Sequence, residues 1–224
     1  GLHAGPLREA RLDARALLHA SPATLAAIGL RADHVAALRR PDRDGIARDE
    51  RWLAGTGRRV IGWGTPEYPA QLARIHDPPL ALFVEGDVDA LSLPQLAIVG
   101  SRNPTPLGRD TAEQFARHLA AAGLAITSGL ALGIDSAGHR GALQAGGQTV
   151  AVLGCGLDRI YPRSHAELAR EVAAHGALVS DLPTGTPPLK HHFPRRNRLI
   201  SGLSLGTLVV EAALQSGSLI TARL

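Results

Sequence analysis

From Gln95 onward, short apolar runs alternate with glycine-bearing turns and with longer stretches whose apolar residues recur every three or four positions. The runs Leu96–Val99, Leu124–Thr127, Thr149–Leu153, Ala177–Ser180 and Thr207–Val210 are short and almost wholly apolar, which predicts buried strands. Between them, Arg109–Ala122, Asp135–Ala145 and Ser164–Ala174 predict helices, with Asp135 at an N-cap position. A loop is expected from Asp181 to Arg198, running into a short helix over Arg196–Gly202. Strand, turn and helix repeating in this order predict an α/β fold with a doubly wound, mostly parallel sheet and helices on both faces.

The first part of the chain follows another rhythm. Arg8–Arg40 is rich in Ala, Leu and Arg at helical spacing, broken at Ser21-Pro22, a cap followed by a first-turn proline, and again at Gly29-Leu30. Two or three short helices follow, a module that resembles part of a SAM-like or helix-hairpin-helix bundle, with nothing for Gly1–Pro6 to pair with. Asp42–Gly57 adds one polar helix and ends in Gly-Thr-Gly, a domain boundary by composition. This divides the chain into a helical unit, 1–57, and an α/β unit, 58–224. Val60–Trp63 and Leu80–Val84 predict two further strands, separated by the proline-rich Thr65–Pro79 and linked onward by Gly86–Pro94.

In such a sheet, ligands bind beyond the carboxyl ends of the strands. Gly100-Ser101-Arg102, Ser128-Gly129, Gly154-Cys155-Gly156 and the loop from Asp181 all leave strand ends, so they are expected along one edge. Glycine lets backbone approach a phosphate and a helix N-terminus favours an anion. Gly100, Ser128, Gly129, Gly154 and Gly156 are therefore candidates for an anion or nucleotide pocket, although Gly154 and Gly156 lack the third glycine of a dinucleotide fingerprint. Arg102 is placed to point a guanidinium into the crevice, or else to pair with a carboxylate.

Composition sharpens this. Aromatic residues make up 3% of the chain and methionine is absent, so the core is aliphatic and an aromatic in a polar segment stands out. The stretch 187–198, PPLKHHFPRRNR, puts Phe193 among Lys190, Arg195, Arg196 and Arg198, beside Asn197. Neither a core segment nor an ordinary turn calls for this mixture. Cations for phosphate oxygens, a ring for a base to stack on and an amide for a base edge suit a single-stranded nucleic acid, while a solvated basic face is the plainer alternative. Twenty-four Lys and Arg against 20 Asp and Glu give a net charge of +4, consistent with an anionic partner. Cys155 is the only cysteine, so neither an internal disulfide nor a cysteine metal site is expected. No run reaches the roughly 18 apolar residues of a membrane span, and the start lacks a signal-peptide pattern. A cytoplasmic protein with no membrane partner, metal or cofactor is expected. No nucleophile, base and orienting group recur at a catalytic spacing.

Five ordered motifs, AIVGSR (97–102), SGLALGIDSAGH (128–139), TVAVLGCGLDRIYP (149–162), FPRRNRLISGLS (193–204) and VVEAALQSGSLITA (209–222), resemble the DNA-processing protein A family, DprA/Smf. Tyr68-Pro69 and Asp77-Pro78-Pro79 support the resemblance. It implies an extended Rossmann-like domain that binds single-stranded DNA, protects incoming strands during natural transformation, loads the RecA recombinase, acts as a homodimer and catalyses no reaction. It also implies DNA contacts at Ser101, Arg102, Lys190, Phe193, Arg196, Asn197 and Arg198. His165 stands where the family usually has Asn, and Asp181 where Glu is common. Family members usually continue past the position of Leu224, so a C-terminal part is expected to be missing, and the helical module is shorter than theirs. The rival is a phosphoribohydrolase-like enzyme acting on a nucleoside phosphate, whose Pro-Gly-Gly-x-Gly-Thr-x-x-Glu signature is matched only by Gly206-Thr207 and Glu211. A scaffold whose basic stretch meets an acidic protein is the third reading.

Overall fold

A computed structural model describes residues 14–212 together with 217 and 221. Gly1–Pro6, the start of the helical stretch at Arg8 and most of the 209–222 motif lie outside the described residues. Helices α1 (Ala14–His19), α2 (Pro22–Ala27) and α3 (Ala32–Arg39) enclose a small cluster of Leu17, Leu25 and Leu30, with Ser21 capping α2 through the Thr24 amide. Helix α4 (Arg43–Leu53) follows, capped by Asp42, and buries Trp52 against the sheet.

The sheet has seven strands in the order β1-β2-β6-β5-β4-β3-β7. Strands β3 (Gln95–Gly100), β4 (Ala125–Ser128), β5 (Thr149–Val152), β6 (Gly176–Ser180) and β7 (Gly206–Val210) are parallel, while β1 (Arg58–Gly62) and β2 (Ala81–Gly86) add antiparallel at the β6 side. Alternation along each strand divides the core in two. Ala97, Val99, Val150, Val152, Ala177 and Val179 face helix α8 (His192–Leu203) through Leu199, Ile200 and Leu203. Ile98 and Ile126 face α5 (Pro106–Ala121) and α6 (Ile134–Gln144), and Ala151 and Leu178 face α7 (Ala166–Ala174). With both faces covered, this is a Rossmann-like, doubly wound α/β sheet. No helix among the described residues is long and apolar enough to cross a membrane.

Three local expectations are corrected. The expected loop through Arg198 gives way to a helix from His192, because His192, Arg196, Leu199, Ile200 and Leu203 form one buried face and Pro194 sits in the first turn, where its missing N–H costs little. Helix α5 starts at Pro106, since the Thr105 side chain accepts from the Gly108 amide. Asp135 does not cap α6. Gly133 holds that place with φ 82°, where an added Cβ would stand 2.3 Å from the Ser101 carbonyl oxygen, and Asp135 Oδ2 reaches back to the Gly129 and Ala131 amides.

The α5–α6 contact is set by small residues. Ala112, Ala116 and Ala120 face α6, and a Cβ on Gly141 would lie 2.1 Å from the Glu113 carbonyl oxygen. Gly141→Ala should therefore cost about 1 to 3 kcal/mol by forcing the helices apart, read as a lower urea midpoint with an unchanged m-value.

His139 on α6 is fully buried. The Thr149 hydroxyl donates to the Ile126 carbonyl (2.7 Å), so its oxygen accepts from His139 Nδ1–H (2.7 Å), and Nε2 is left without a hydrogen-bond partner. Burial pushes the imidazole pKa down to about 3, helped by the nearby His165 and Arg196. A base with a depressed folded pKa contributes stability that is complete above its ordinary value of 6.5 and is lost as the pH falls toward 3. Acidification from pH 6.5 to 5 should cost about 2 kcal/mol through this group. His139→Leu should flatten the pH dependence of the urea midpoint over that window; a slope equal to wild type would show that His139 is not its source.

Candidate nucleic-acid interface

Strand β3 has β4 on one side, reached through α5, and β7 on the other, reached through α8 on the opposite face. Such a reversal opens a crevice beyond the strand ends, and a cleft of about 750 Å³ lies there. Gly100, Ser101 and Arg102 line it from the end of β3, and Lys190, Phe193, Arg196 and Asn197 line it from α8 and the segment before it. Seven residues singled out in the sequence are thus brought together from two distant stretches.

Phe193 is the half-buried centre of the cleft. Arg102 Cζ stands 5.8 Å from its ring centroid, and the Tyr161 ring leans on it at 5.5 Å and 44°. Gly154 lies beneath: a Cβ there would come within 3.0 Å of Phe193 Cδ1. Tyr161 and Asp135, which sequence reasoning did not assign to the site, also line it. Tyr161 lies in the 149–162 motif, so the signal was present.

Arg196 forms the floor and is only 4% exposed. Its Nη1 donates to the carbonyl of Gly129 (2.7 Å), just past β4, and to that of Val152 at the end of β5. Gly129 is needed here, because a Cβ would stand 2.5 Å from both terminal nitrogens of the guanidinium. Burial works against the Arg196 charge, lowering its pKa, and Asp135 opposes that shift. Burial in turn raises the Asp135 carboxyl, opposed by Arg196 and by the Ala131 and Gly129 amides. His165 Nδ1 donates to the carbonyl of Leu130 (2.9 Å), which holds a left-handed φ of 58°, and so secures the loop between them.

The remaining candidates lie elsewhere. Arg198 faces away from the cleft, ion-paired to Asp181 at 2.5 Å and bonded to the Asp77 carbonyl. The Tyr68 hydroxyl donates to the Pro79 carbonyl (2.8 Å), so the Tyr68 and Asp77-Pro78-Pro79 motifs meet beside this strut. Arg195 is exposed on α8 without lining the cleft. Ser128 is buried and donates to the Ile98 carbonyl (2.6 Å). Gly156 packs against Asp158 and Pro183 and donates its N–H to the Thr186 carbonyl (3.1 Å). Cys155, also buried, has its thiol directed at the Arg159 carbonyl (3.4 Å). Lys190 and Arg102 are thus exposed cations lining the cleft, and Arg195 is exposed on α8 outside it. Among the described residues, no group of three or more His, Cys, Asp and Glu is placed to hold a metal ion.

The family model of DNA recombination-mediator protein A matches residues 59–224. Protein Smf of Escherichia coli is 53% identical over 173 residues, covering 77% of this chain and 46% of the relative, and DNA processing protein DprA of Bacillus subtilis is 44% identical over 167 residues, covering 74% and 56%. The chain thus spans about half the length of these relatives. Among solved structures, DNA processing protein A of Streptococcus pneumoniae superposes with a TM-score of 0.79 at 37% identity, covering 89% of this chain and 70% of that one. DNA processing protein A of Helicobacter pylori, described for its single-stranded DNA binding mode, gives 0.67 at 34%, covering 74% and 75%. On these matches, together with the sheet and the cleft that its motifs build, the chain belongs to the DNA recombination-mediator protein A family.

Proposed function

We propose that the cleft binds single-stranded DNA, and that the chain serves, as a non-enzymatic mediator in the cytoplasm, to protect incoming strands and load RecA. The observation that carries the reading is the Phe193 ring, held between Arg102, Tyr161 and Gly154 with Lys190 on the same cleft. A stacking surface beside exposed cations suits an unpaired base and its phosphates, whereas a duplex would call for an element projecting into a groove. The single-stranded DNA binding described for the Helicobacter pylori protein supports the same assignment. Residues 58–224 are read as the DNA-binding unit, 1–57 as an accessory helical module, and the functional form as a homodimer.

Of the DNA-contacting positions, Ser101, Arg102, Lys190, Phe193 and Asn197 are assigned directly to the strand, with Arg195 beside them. Arg196 acts from the floor, and Arg198 holds α8 in place. The hydrolase alternative loses its one acidic candidate, because both Glu211 carboxylate oxygens are engaged at the start of α5, accepting from the Thr105 amide (2.7 Å) and hydroxyl.

The chain should bind a labelled single-stranded oligonucleotide well above a duplex of the same length; equal affinity would count against the reading. Lys190→Ala should flatten the slope of log affinity against log salt by about 0.7, as expected for one lost phosphate contact on a single strand. Phe193→Ala should cost about 1 to 3 kcal/mol of binding with the slope preserved, since a stacked ring carries no charge. Arg196→Ala should behave differently, losing about 1 to 3 kcal/mol of folding stability because it leaves two buried strand-end carbonyls without their donor. An Arg196→Ala protein with wild-type stability would show that the floor is dispensable.

A further inference from the structure

Lys190 reaches the cleft from 181–191, a segment outside any strand or helix, so something other than a regular ladder must fix it. Helix α4 supplies much of the hold. Trp52, 6% exposed, packs edge-on against Phe83 of β2 with ring centroids 5.8 Å apart and so seats the helix on the sheet. Asp49 lies one turn earlier on the same face. Its Oδ1 accepts from the Thr184 amide (2.9 Å) and the Thr184 hydroxyl (2.6 Å), while Arg48 Nη1 donates to the Thr184 carbonyl (3.4 Å). The next amide, Gly185 N–H, donates to Asp158 Oδ1 (2.7 Å), from the turn that follows β5. Two carboxylates from opposite sides therefore grip adjacent amides of the segment that leads to Lys190.

This grip carries forward along the chain. The Thr186 carbonyl accepts from Gly156 N–H (3.1 Å), and Pro187 and Pro188 fix two successive φ angles before Lys190. Thr184 is 3% exposed, so without Asp49 its amide and hydroxyl would be buried unpaired, and the segment would have to rearrange to reach water. Asp49 does not line the cleft and has no contact of its own to offer a bound strand.

We propose that Asp49 is a positioning residue for nucleic-acid binding: by holding Thr184 from helix α4 it sets Lys190 over the cleft. The proposal rests on the single-strand reading of the cleft for its effect on binding. The hold itself does not depend on that reading.

The test uses the full chain, a fluorescein-labelled oligo-dT, and the variants Asp49→Ala, Asp49→Asn, Lys190→Ala and the Asp49→Ala/Lys190→Ala double variant. Asp49→Ala should weaken binding about five- to tenfold and flatten the salt slope as Lys190→Ala does, with the thermal midpoint lowered by only a few degrees. Asp49→Asn keeps an acceptor oxygen and should restore most of the affinity. The double variant should bind no more weakly than Lys190→Ala alone. Amide exchange over 185–190 should rise in Asp49→Ala. Independent, multiplying losses in the double variant, or unchanged binding despite faster exchange, would overturn the positioning role. Unchanged exchange would overturn the hold itself, and absence of oligo-dT binding by the wild-type chain would instead overturn the reading of the cleft.

Discussion

A guanidinium with almost no access to water sits where two parallel strands end, and the cleft depends on it. Burying a lone cation costs several kcal/mol, so Arg196 is tolerable only because its surroundings answer its charge. The carbonyl oxygens of Gly129 and Val152 present their negative ends to it, and Asp135 adds a carboxylate that is itself steadied by two backbone amides. The two carbonyls come from different strand ends, so Nη1 is satisfied only when β4, β5 and α8 are all in register, while the buried Nε has no hydrogen-bond partner. Phe193 and Asn197 ride on the same helix as Arg196 and take their positions from it.

The basic stretch therefore has two jobs. Arg196 and Arg198 face inward, one to strand ends and one to Asp77 and Asp181, while Lys190 and Arg195 stay in solvent. The inward pair builds the platform on which the outward pair and the ring can meet a ligand. Net charge alone would have credited all four to the partner.

Much of this was legible in the sequence. Burial on both faces removes the need for polar positions, so β3, β5 and β6 stand out as apolar runs, and a strand end followed by a flexible turn marks the edge where a site belongs. The start of α8 was not legible, because a buried arginine reads as a solvated one until its acceptors are known. Those acceptors lie at Gly129 and Val152, far back along the chain. The same holds for Asp49 and Thr184, separated by 135 positions, and for Arg198 and the Asp77 carbonyl, separated by 121. Asp135 misled for a related reason. Its type suits a cap, but Gly133 is the residue that can adopt the left-handed turn under the Ser101 carbonyl, which leaves the carboxylate free to serve the loop and the guanidinium. Gly129 and Gly154 were rightly placed at the edge, yet the missing Cβ of each makes room for Arg196 or Phe193, a distinction that needs coordinates.

Cys155 sits directly after the glycine that underlies Phe193, in a chain that contains no methionine. Burial raises its thiol pKa to about 11, and its hydrogen atom is directed to the Arg159 carbonyl. The sulfur is thus held as a thiol at any physiological pH, and thiols react with peroxides and electrophiles far more slowly than thiolates. The turn beneath Phe193 therefore carries a sulfur that is both shielded from solvent and poor in thiolate, a packing residue rather than a redox-responsive one.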